Sequence, residues 1–294
     1  MTVTSADALR SLSFAVAYRM LGTVSEAEDV VQEALLRLHQ AAGVESPEAF
    51  LTTVTTRLAI DVLRSARLRR ETYPGSWLPE PIVEDDAARR VEDEEAISVA
   101  FLALLERLTP DERAVLVLRE SFDYPFAEIA EILGKSEAAV RQGLSRARRR
   151  AADERPRFEA DPEQRRRLAA RFLRAAREGD MAGLVAILAP DAVLVGDGGG
   201  KARSIPRPMV GGPAIARALA TFYTAGEELG VTLEPVWVNG QPGFRALDPG
   251  GRLVNVVGID VEGGVVRRVH SMLNPDKLAH LGATSELNLR PRVR

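Results

Sequence analysis

The stretch PFAEIAEILGKSEAAVRQGLSRARRR, from Pro125 to Arg150, constrains the fold more than any other part of the chain. Its apolar residues recur at helical spacing on both sides of Gly134, a residue that can adopt the left-handed conformation of a tight turn. Ser136 follows in the position of a helix cap. The pattern predicts a helix-turn-helix whose second helix is rich in arginine.

The second helix of this motif separates an apolar face from a polar one. Its predicted buried face contains Val140, Leu144, Ala147 and Ala151. Donors and acceptors near the start of such a helix read base edges in the major groove, and cations along its flanks hold phosphates. We therefore expect the polar face to bind DNA through Ser136, Arg141, Gln142, Ser145, Arg146 and Arg149.

Length and composition set the frame around this motif. A chain of 294 residues exceeds the usual size of one domain, and with no cysteine it has no disulfide, thiolate zinc site or cysteine nucleophile. It begins MTVTSADALRSL, without a signal-peptide pattern, and no apolar run reaches membrane-spanning length. We expect a cytoplasmic protein with no cofactor and no metal site.

The hydrophobic periodicity divides the chain into four parts. Helical spacing fills residues 1–72, a proline-, glycine- and acid-rich linker follows at 73–95, and helical spacing returns at 96–157. Strand patterns and glycine turns enter only in the last part, 158–294, after further helices. The predicted fold class is multidomain: two all-α helical domains followed by an α+β domain.

The first helical part has marked helix starts and two polar surfaces. Ser25 with Glu28 has the spacing of a capping box, and Ser46 precedes a proline at a helix start. The third helix is expected to bury Leu51, Val54, Leu58 and Val62. The polar surfaces are an acidic one, with Glu26, Asp29 and Glu33, and an arginine-bearing one, with Arg57, Asp61, Arg64 and Arg67.

These features together resemble an extracytoplasmic-function (ECF) sigma factor, a promoter-recognition subunit of bacterial RNA polymerase, across Leu9 to Ala152. The matching segments are AYRMLGTVSEAEDVVQEALLRLH, AFLTTVTTRLAIDVLRSARLRR and LTPDERAVLVLRE with the helix-turn-helix. The resemblance implies binding to core polymerase, at its beta-prime clamp and beta flap, and to promoter DNA. It implies that Asp29 and Glu33 face polymerase, that Arg57, Asp61, Arg64 and Arg67 lie near the minus 10 element, and that the arginine-rich helix reads the minus 35 element.

Three further motifs resemble those of the sigma subgroup with a SnoaL-like C-terminal extension. They are WLPEP in the linker and DGGGK and NPDKL in the last domain. The resemblance implies a cone of the nuclear-transport-factor-2 type that regulates the sigma factor in place of a separate anti-sigma protein. The regulatory contacts would come from Trp77, Leu78, Pro79, Glu80, Pro81, Asp197, Gly198, Gly199, Gly200, Lys201, Asn274, Pro275, Asp276, Lys277 and Leu278. A plain spacer, a glycine turn and a helix cap remain the ordinary alternatives for the three motifs.

Other functions are compatible with the same residues. A helix-turn-helix repressor or activator would bind operators as a symmetric dimer. SnoaL-like cones elsewhere include isomerases and cyclases with Asp/His pairs, so His270 with Asp197 or Asp260 is a candidate catalytic pair. The DGGGK segment does not match a phosphate-binding loop, since Val195 replaces its first glycine. We expect no enzyme activity, and a pocket for an unknown small molecule is the more natural role of the cone.

Overall fold

The computed structural model describes residues 5–84, 98–151 and 162–287, without the side chains of residues 66–71 and 162–163. It divides into two compact units, Met1–Thr72 with Leu102–Arg155, and Tyr73–Phe101 with Pro156–Arg294. The helices are α1 (Ala6–Leu21), α2 (Val24–Gln40), α3 (Pro47–Glu71), α4 (Val99–Leu105), α5 (Pro110–Ser121), α6 (Phe126–Leu133), α7 (Glu137–Ala151), α8 (Pro162–Arg177), α9 (Met181–Ile187), α10 (Gly212–Glu228) and α11 (Pro275–Leu278). The strands are β1 (Val83–Glu84), β2 (Leu188–Asp197), β3 (Met209–Val210), β4 (Thr232–Val238), β5 (Gln241–Leu247), β6 (Leu253–Glu262) and β7 (Val265–Met272). In the described ranges, no helix combines the length and apolarity that a bilayer crossing needs.

Helices α1 to α3 form the first part of the helical unit, with two departures from the sequence expectations. Helix α2 begins one residue before Ser25, with Thr23 at its N-cap, so the predicted capping box is wrong. The buried face of α3 keeps Leu51 but otherwise consists of Thr52, Thr55, Thr56, Ala59, Ile60 and Leu63, while Val54, Leu58 and Val62 are only partly buried. The Thr55 and Ser13 hydroxyls are 2.7 Å apart in this core, which satisfies polar groups that a hydrophobic pattern places outside.

The helix-turn-helix is formed by α6 and α7, as its sequence predicts. Gly134 ends α6 with φ 63°, in the left-handed region, and Ser136 Oγ accepts a hydrogen bond from the Ala139 amide at the start of α7. The four residues predicted for the buried face of α7 are buried. Helix α5, with a capping box between Thr109 and Glu112, packs against α7.

The second unit is an α+β domain built on one seven-stranded sheet of order β1-β4-β5-β6-β7-β2-β3. Strands β4 to β7 form an antiparallel meander, and the glycine turns expected in this part of the chain lie at Asp248 to Gly251 and Gly263–Gly264. Helices α8 to α10 cover one face and enclose the main core of the unit. The expectation that strands begin only after residue 158 is wrong, because β1 comes from the linker and pairs antiparallel with β4.

Candidate DNA, polymerase and linker-binding surfaces

The polar face of α7 is exposed, but its side chains fall into two groups. Arg146 donates to Glu112 Oε1 at 3.1 Å and so turns toward α5. Arg141 lies over the Phe126 ring at 4.1 Å from its centroid and also bonds Glu137. The other exposed residues of the predicted DNA-contacting set are Ser136, whose Oγ caps α7, and Gln142, Ser145 and Arg149. The group of side chains that faces outward is therefore smaller than the sequence pattern suggests. Arg146 lies at the edge of this group, because it is bonded to Glu112.

Glu112 organises the contact between α5 and α7, a role that the sequence did not reveal beyond its part in the capping box. Its carboxylate is almost buried and pairs with both Arg146 and Arg150. Burial alone would raise the pKa of Glu112. Hydrogen bonds from Thr109 and Arg146 and the charge of Arg150 outweigh that effect and lower it. The carboxylate therefore stays ionised and fixes α7 on α5.

The residues predicted for the minus 10 element lie on α3, and two of them contact the helix-turn-helix half of the same unit. The Arg57 guanidinium donates to the main-chain oxygens of Ile132 (2.8 Å) and Glu131 (3.2 Å), at the end of α6. A cation is favourable at the C-terminus of a helix. Arg64 bonds Asp111 at 3.4 Å and lies 3.5 Å from Asp61, which is exposed. The side chain of Arg67 lies outside the described residues.

A buried arginine joins the two halves of the helical unit. Arg113 on α5 is 1% exposed, and its guanidinium donates to the main-chain oxygens of Leu105 (3.0 Å) and Met20 (2.6 Å). It also pairs with Glu106. Met20 lies in the last turn of α1, so one side chain connects α5 to α1. The candidate minus 10 and minus 35 readers thus form one packed body.

The acidic surface on α2 includes an apolar residue that the sequence analysis missed. Asp29 is exposed, and Glu33 bonds Arg37 one turn away at 2.7 Å. Leu36 lies one turn from Glu33 and is 50% exposed. The sequence contained one signal for this residue, because Leu36 falls outside the apolar stripe of an amphipathic helix. An exposed leucine beside carboxylates is suited to a protein partner with a mixed apolar and basic surface.

The second unit holds the linker at a buried carboxylate. Asp197, at the end of β2, is 0% exposed, and its carboxylate accepts four hydrogen bonds from the described residues. Oδ2 accepts from the Leu78 amide at 2.8 Å and from Lys277 Nζ at 2.7 Å. Oδ1 accepts from the Tyr73 hydroxyl at 2.6 Å and from the Gly199 amide at 3.0 Å. One residue of DGGGK thus binds both WLPEP and NPDKL, and we call this group the Asp197 clamp.

Lys277 completes the Asp197 clamp from the side of NPDKL. Its ammonium, almost fully buried, also donates to the Leu78 main-chain oxygen. It lies 4.1 Å from the centroid of the Trp77 ring and 4.7 Å from that of Tyr73. Cations over aromatic faces are attracted by the ring quadrupole, most strongly when desolvated. Both oxygen and aromatic contacts therefore hold the linker against the domain.

Tyr73 belongs to the clamp although no sequence motif marked it. Its hydroxyl accepts from Asn274 Nδ2 at 2.8 Å while donating to Asp197. Burial raises the pKa of Tyr73, and the hydrogen bond to the Asp197 carboxylate and its charge raise it further. The phenol therefore remains protonated and remains a donor. A hydroxyl next to the motif, rather than within it, could have been found only from the fold.

The remaining motif residues divide between the contact and its surroundings. Buried members are Leu78, Pro79, Glu80, Pro81, Gly198 and Leu278. Gly199 and Gly200 have left-handed backbones, and a Cβ on them would meet Asn274 and Pro74 respectively, so the glycines permit close approach. Lys201 and Asp276 form an exposed ion pair, and the partly buried Pro275 is the first residue of α11 after the Asn274 cap. His280 Nε2 lies 2.9 Å from the Pro81 main-chain oxygen.

His270 and Asp260 are buried and 2.9 Å apart, but they do not face the cavity of the cone. That cavity is lined by Val269 and Ser271, the two neighbours of His270 on β7. Successive side chains of a strand point to opposite faces, so His270 points away from the cavity. Asp197 is part of the clamp instead. The structure therefore does not bring a catalytic Asp/His pair into the cavity.

Three family models match the chain, and each covers one structural part. Sigma-70 region 2 matches residues 6–69, which contain α1 to α3, and sigma-70 region 4 matches residues 98–150, which contain the helix-turn-helix. The SnoaL-like domain matches residues 169–270, within the second unit. The fold and the three matches define a class of protein: a sigma-70 factor with regions 2 and 4 fused to a SnoaL-like domain.

Relatives identify the group more closely. The chain is 40% identical to the ECF RNA polymerase sigma factor SigJ of Mycobacterium tuberculosis, over 94% of this chain and 93% of that protein. It is 32% identical to the probable ECF RNA polymerase sigma factor SigI of the same species, over 91% of each chain. A crystal structure of M. tuberculosis SigJ matches with TM-score 0.76 and 38% identity, covering 93% of this chain and 96% of that one. The chain belongs to the ECF RNA polymerase sigma factors.

Proposed function

We propose that this protein acts in the cytoplasm as a sigma factor that binds core RNA polymerase and reads minus 10 and minus 35 elements, under the control of its own SnoaL-like domain. The observation that carries the control is the buried Asp197 clamp, in which the C-terminal domain binds the Leu78 main chain of the linker on both its N–H and its C=O. A linker held in this way has a fixed path. The domain thereby takes the place of a separate anti-sigma protein.

The packed helical unit makes such control effective, because it cannot reach both promoter elements at once. A compact unit of its size has a radius of gyration of about 14 Å. The two elements are about 25 base pairs apart, or about 85 Å of B-DNA at 3.4 Å per step. The two DNA readers must therefore separate on a promoter, breaking the bonds from Arg57 to α6. A linker fixed on the C-terminal domain limits that separation.

Run-off transcription tests this control directly. Asp197→Ala should release the linker and raise transcription from a cognate promoter several-fold, whereas Asp276→Ala, in the exposed ion pair with Lys201, should leave it near the starting level. Equal activity of both variants and the starting chain would remove the regulatory role of the clamp.

Charge reversal on α2 tests the polymerase surface. The double variant Asp29→Arg with Glu33→Arg places positive charges against the basic surface proposed for polymerase. Its affinity for core polymerase should fall by about tenfold or more. Leu36→Asp should weaken it as well, since an exposed leucine at an interface loses its apolar contact. The measurement is co-elution and affinity with core polymerase, and Glu45→Arg, an exposed acid in the loop after α2, is the matched control. Unchanged binding of both the charge-reversed pair and Leu36→Asp would contradict the assignment of this surface to polymerase.

Two neighbouring arginines test the minus 35 reader. Arg149 is exposed on α7, whereas Arg148 is held by Glu120 through two hydrogen bonds of 2.8 and 2.6 Å. Arg149→Ala should reduce the affinity for promoter DNA by about tenfold. It should also reduce the slope of log affinity against log salt concentration by about 1, since one phosphate contact is lost. Arg148→Ala should change both less, because its charge is already paired. An equal loss for the two variants would show that the outward-facing group is assigned wrongly.

The alternatives have less support. Matches to both sigma-70 regions favour a polymerase subunit over an operator-binding dimer. A catalytic tail would need an acid-base pair in the cavity, and neither His270 nor Asp197 lies there. We therefore assign the domain a regulatory role without chemistry.

A further inference from the structure

The SnoaL-like domain contains a cavity of about 260 Å³, partly open to solvent, between its sheet and helix α10. Its walls are apolar and come from both layers, with Leu194, Leu219, Phe222, Val257 and Val269 among them. Such a cavity is large enough for a small organic molecule of about two fused rings. Burial of apolar ligand surface against these walls would supply most of the affinity.

A few polar groups interrupt the apolar lining. Asn255 on β6 donates through Nδ2 to Ser271 Oγ at 3.1 Å, while its Oδ1 is buried and accepts no hydrogen bond within the described part of the chain. Ser204 Oγ is likewise buried and has no hydrogen-bond partner within the described residues. A buried acceptor without a hydrogen-bond partner is destabilising, so a ligand that donates a hydrogen bond to Asn255 Oδ1 would gain binding free energy. Tyr223 also lines the cavity, and burial raises its pKa, so its phenol stays neutral.

The charged groups of the lining lie at its solvent side. Arg177, Arg203 and Glu227 are exposed, and Arg177 already donates to the Leu233 main-chain oxygen. The described interior offers no partner for a ligand charge, and burying an unpaired charge is strongly unfavourable. The cavity thus selects against ions.

We propose that this cavity binds an uncharged, mainly apolar small molecule that carries a hydroxyl group and donates it to Asn255. The chemical class is that of apolar alcohols and phenols. Binding follows from the cavity alone and does not require the control by the linker proposed above.

Three probes that share one ring system test the proposal on the full-length protein. They are 2-naphthol, its methyl ether 2-methoxynaphthalene, which cannot donate, and the anion 2-naphthoate, each titrated by calorimetry or by displacement of naphthol fluorescence. We expect a dissociation constant for 2-naphthol on the order of 100 µM. The ether should bind about three- to tenfold more weakly, as the loss of one hydrogen bond requires. The naphthoate should bind more weakly than either.

Two substitutions locate the binding. Asn255→Leu should remove the preference for naphthol over the ether, and Leu219→Trp should fill the cavity and weaken both probes at least tenfold. Val210→Trp, at a 64% exposed position on β3, is the control that should change neither. If Leu219→Trp does not fold, the affinities of Asn255→Leu for naphthol and for the ether test the proposal. Tighter binding of the anion, an ether as strong as naphthol, or naphthol affinity unchanged by Asn255→Leu would each overturn the proposal.

Discussion

Replacement of Asp197 by alanine should release the linker from the C-terminal domain. The change leaves the buried Lys277 ammonium without its carboxylate and removes the acceptor of the Leu78 amide. Breaking a buried ion pair by removing one partner costs about 3–5 kcal/mol. Hydrogen exchange of the peptide covering residues 73–84 measures the effect, and the protection of the Leu78 amide should fall by about 100-fold or more.

Two further variants make this prediction specific. Asp276→Ala removes a carboxylate of the neighbouring motif, but its ion pair with Lys201 is exposed on both sides and is worth about 0–1 kcal/mol. Its exchange pattern should be nearly that of the starting chain. Asp197→Leu with Lys277→Met removes both buried charges and should be less destabilised than Asp197→Ala. Comparable protection in Asp197→Ala and Asp276→Ala would show that the clamp does not hold the linker.

Replacement of Arg113 by methionine should separate the two halves of the helical unit. The substitution keeps an apolar stem but leaves the main-chain oxygens of Met20 and Leu105 without their donor, together with the Glu106 carboxylate. Each buried acceptor left unpaired costs about 1–3 kcal/mol, so we expect a total loss of about 3–5 kcal/mol. Urea unfolding followed by circular dichroism measures it, with hydrogen exchange in α1 and α5 as the local readout.

Arg148→Met is the matched control for Arg113. Arg148 also makes hydrogen bonds to a carboxylate, but its side chain is 53% exposed, so water replaces the lost partner. We expect a change below about 1 kcal/mol. A loss for Arg113→Met no larger than that of the control would mean that α1 and α5 are held by their apolar contacts and not by the arginine.

Local signals made much of this fold predictable from the sequence. Gly134 and Ser136 mark the turn and cap of the helix-turn-helix within a few residues, and the glycine turns mark the meander. Helix α3 was less predictable, because Thr52, Thr55 and Thr56 enter its core through polar contacts such as that of Thr52 with Tyr124, 72 positions later. A hydrophobic pattern counts such threonines as surface residues.

Long-range partners limited the prediction of the sites. The motifs pointed to Asp197, Lys277 and Leu78, and the structure brings these three together; their regulatory role is still a proposal. Tyr73 lies outside every motif, and the burial of Arg113 depends on an oxygen 93 positions earlier. Arg57 bonds a helix end 75 positions later. Arginine exposure cannot be read from periodicity when its partner is a main-chain oxygen of another element.

The end of β2 and the two residues that follow β7 contact the cavity on one side and the linker on the other. Gly196 lines the cavity and its neighbour Asp197 binds Leu78, while Leu273 lines the cavity and its neighbour Asn274 binds Tyr73. If a ligand binds the proposed cavity and favours the docked linker, thermodynamic linkage requires that the docked linker raise the affinity for that ligand by the same factor. The affinity for a small molecule, compared between the free protein and its promoter complex, would report the state of the linker without any change to the linker itself.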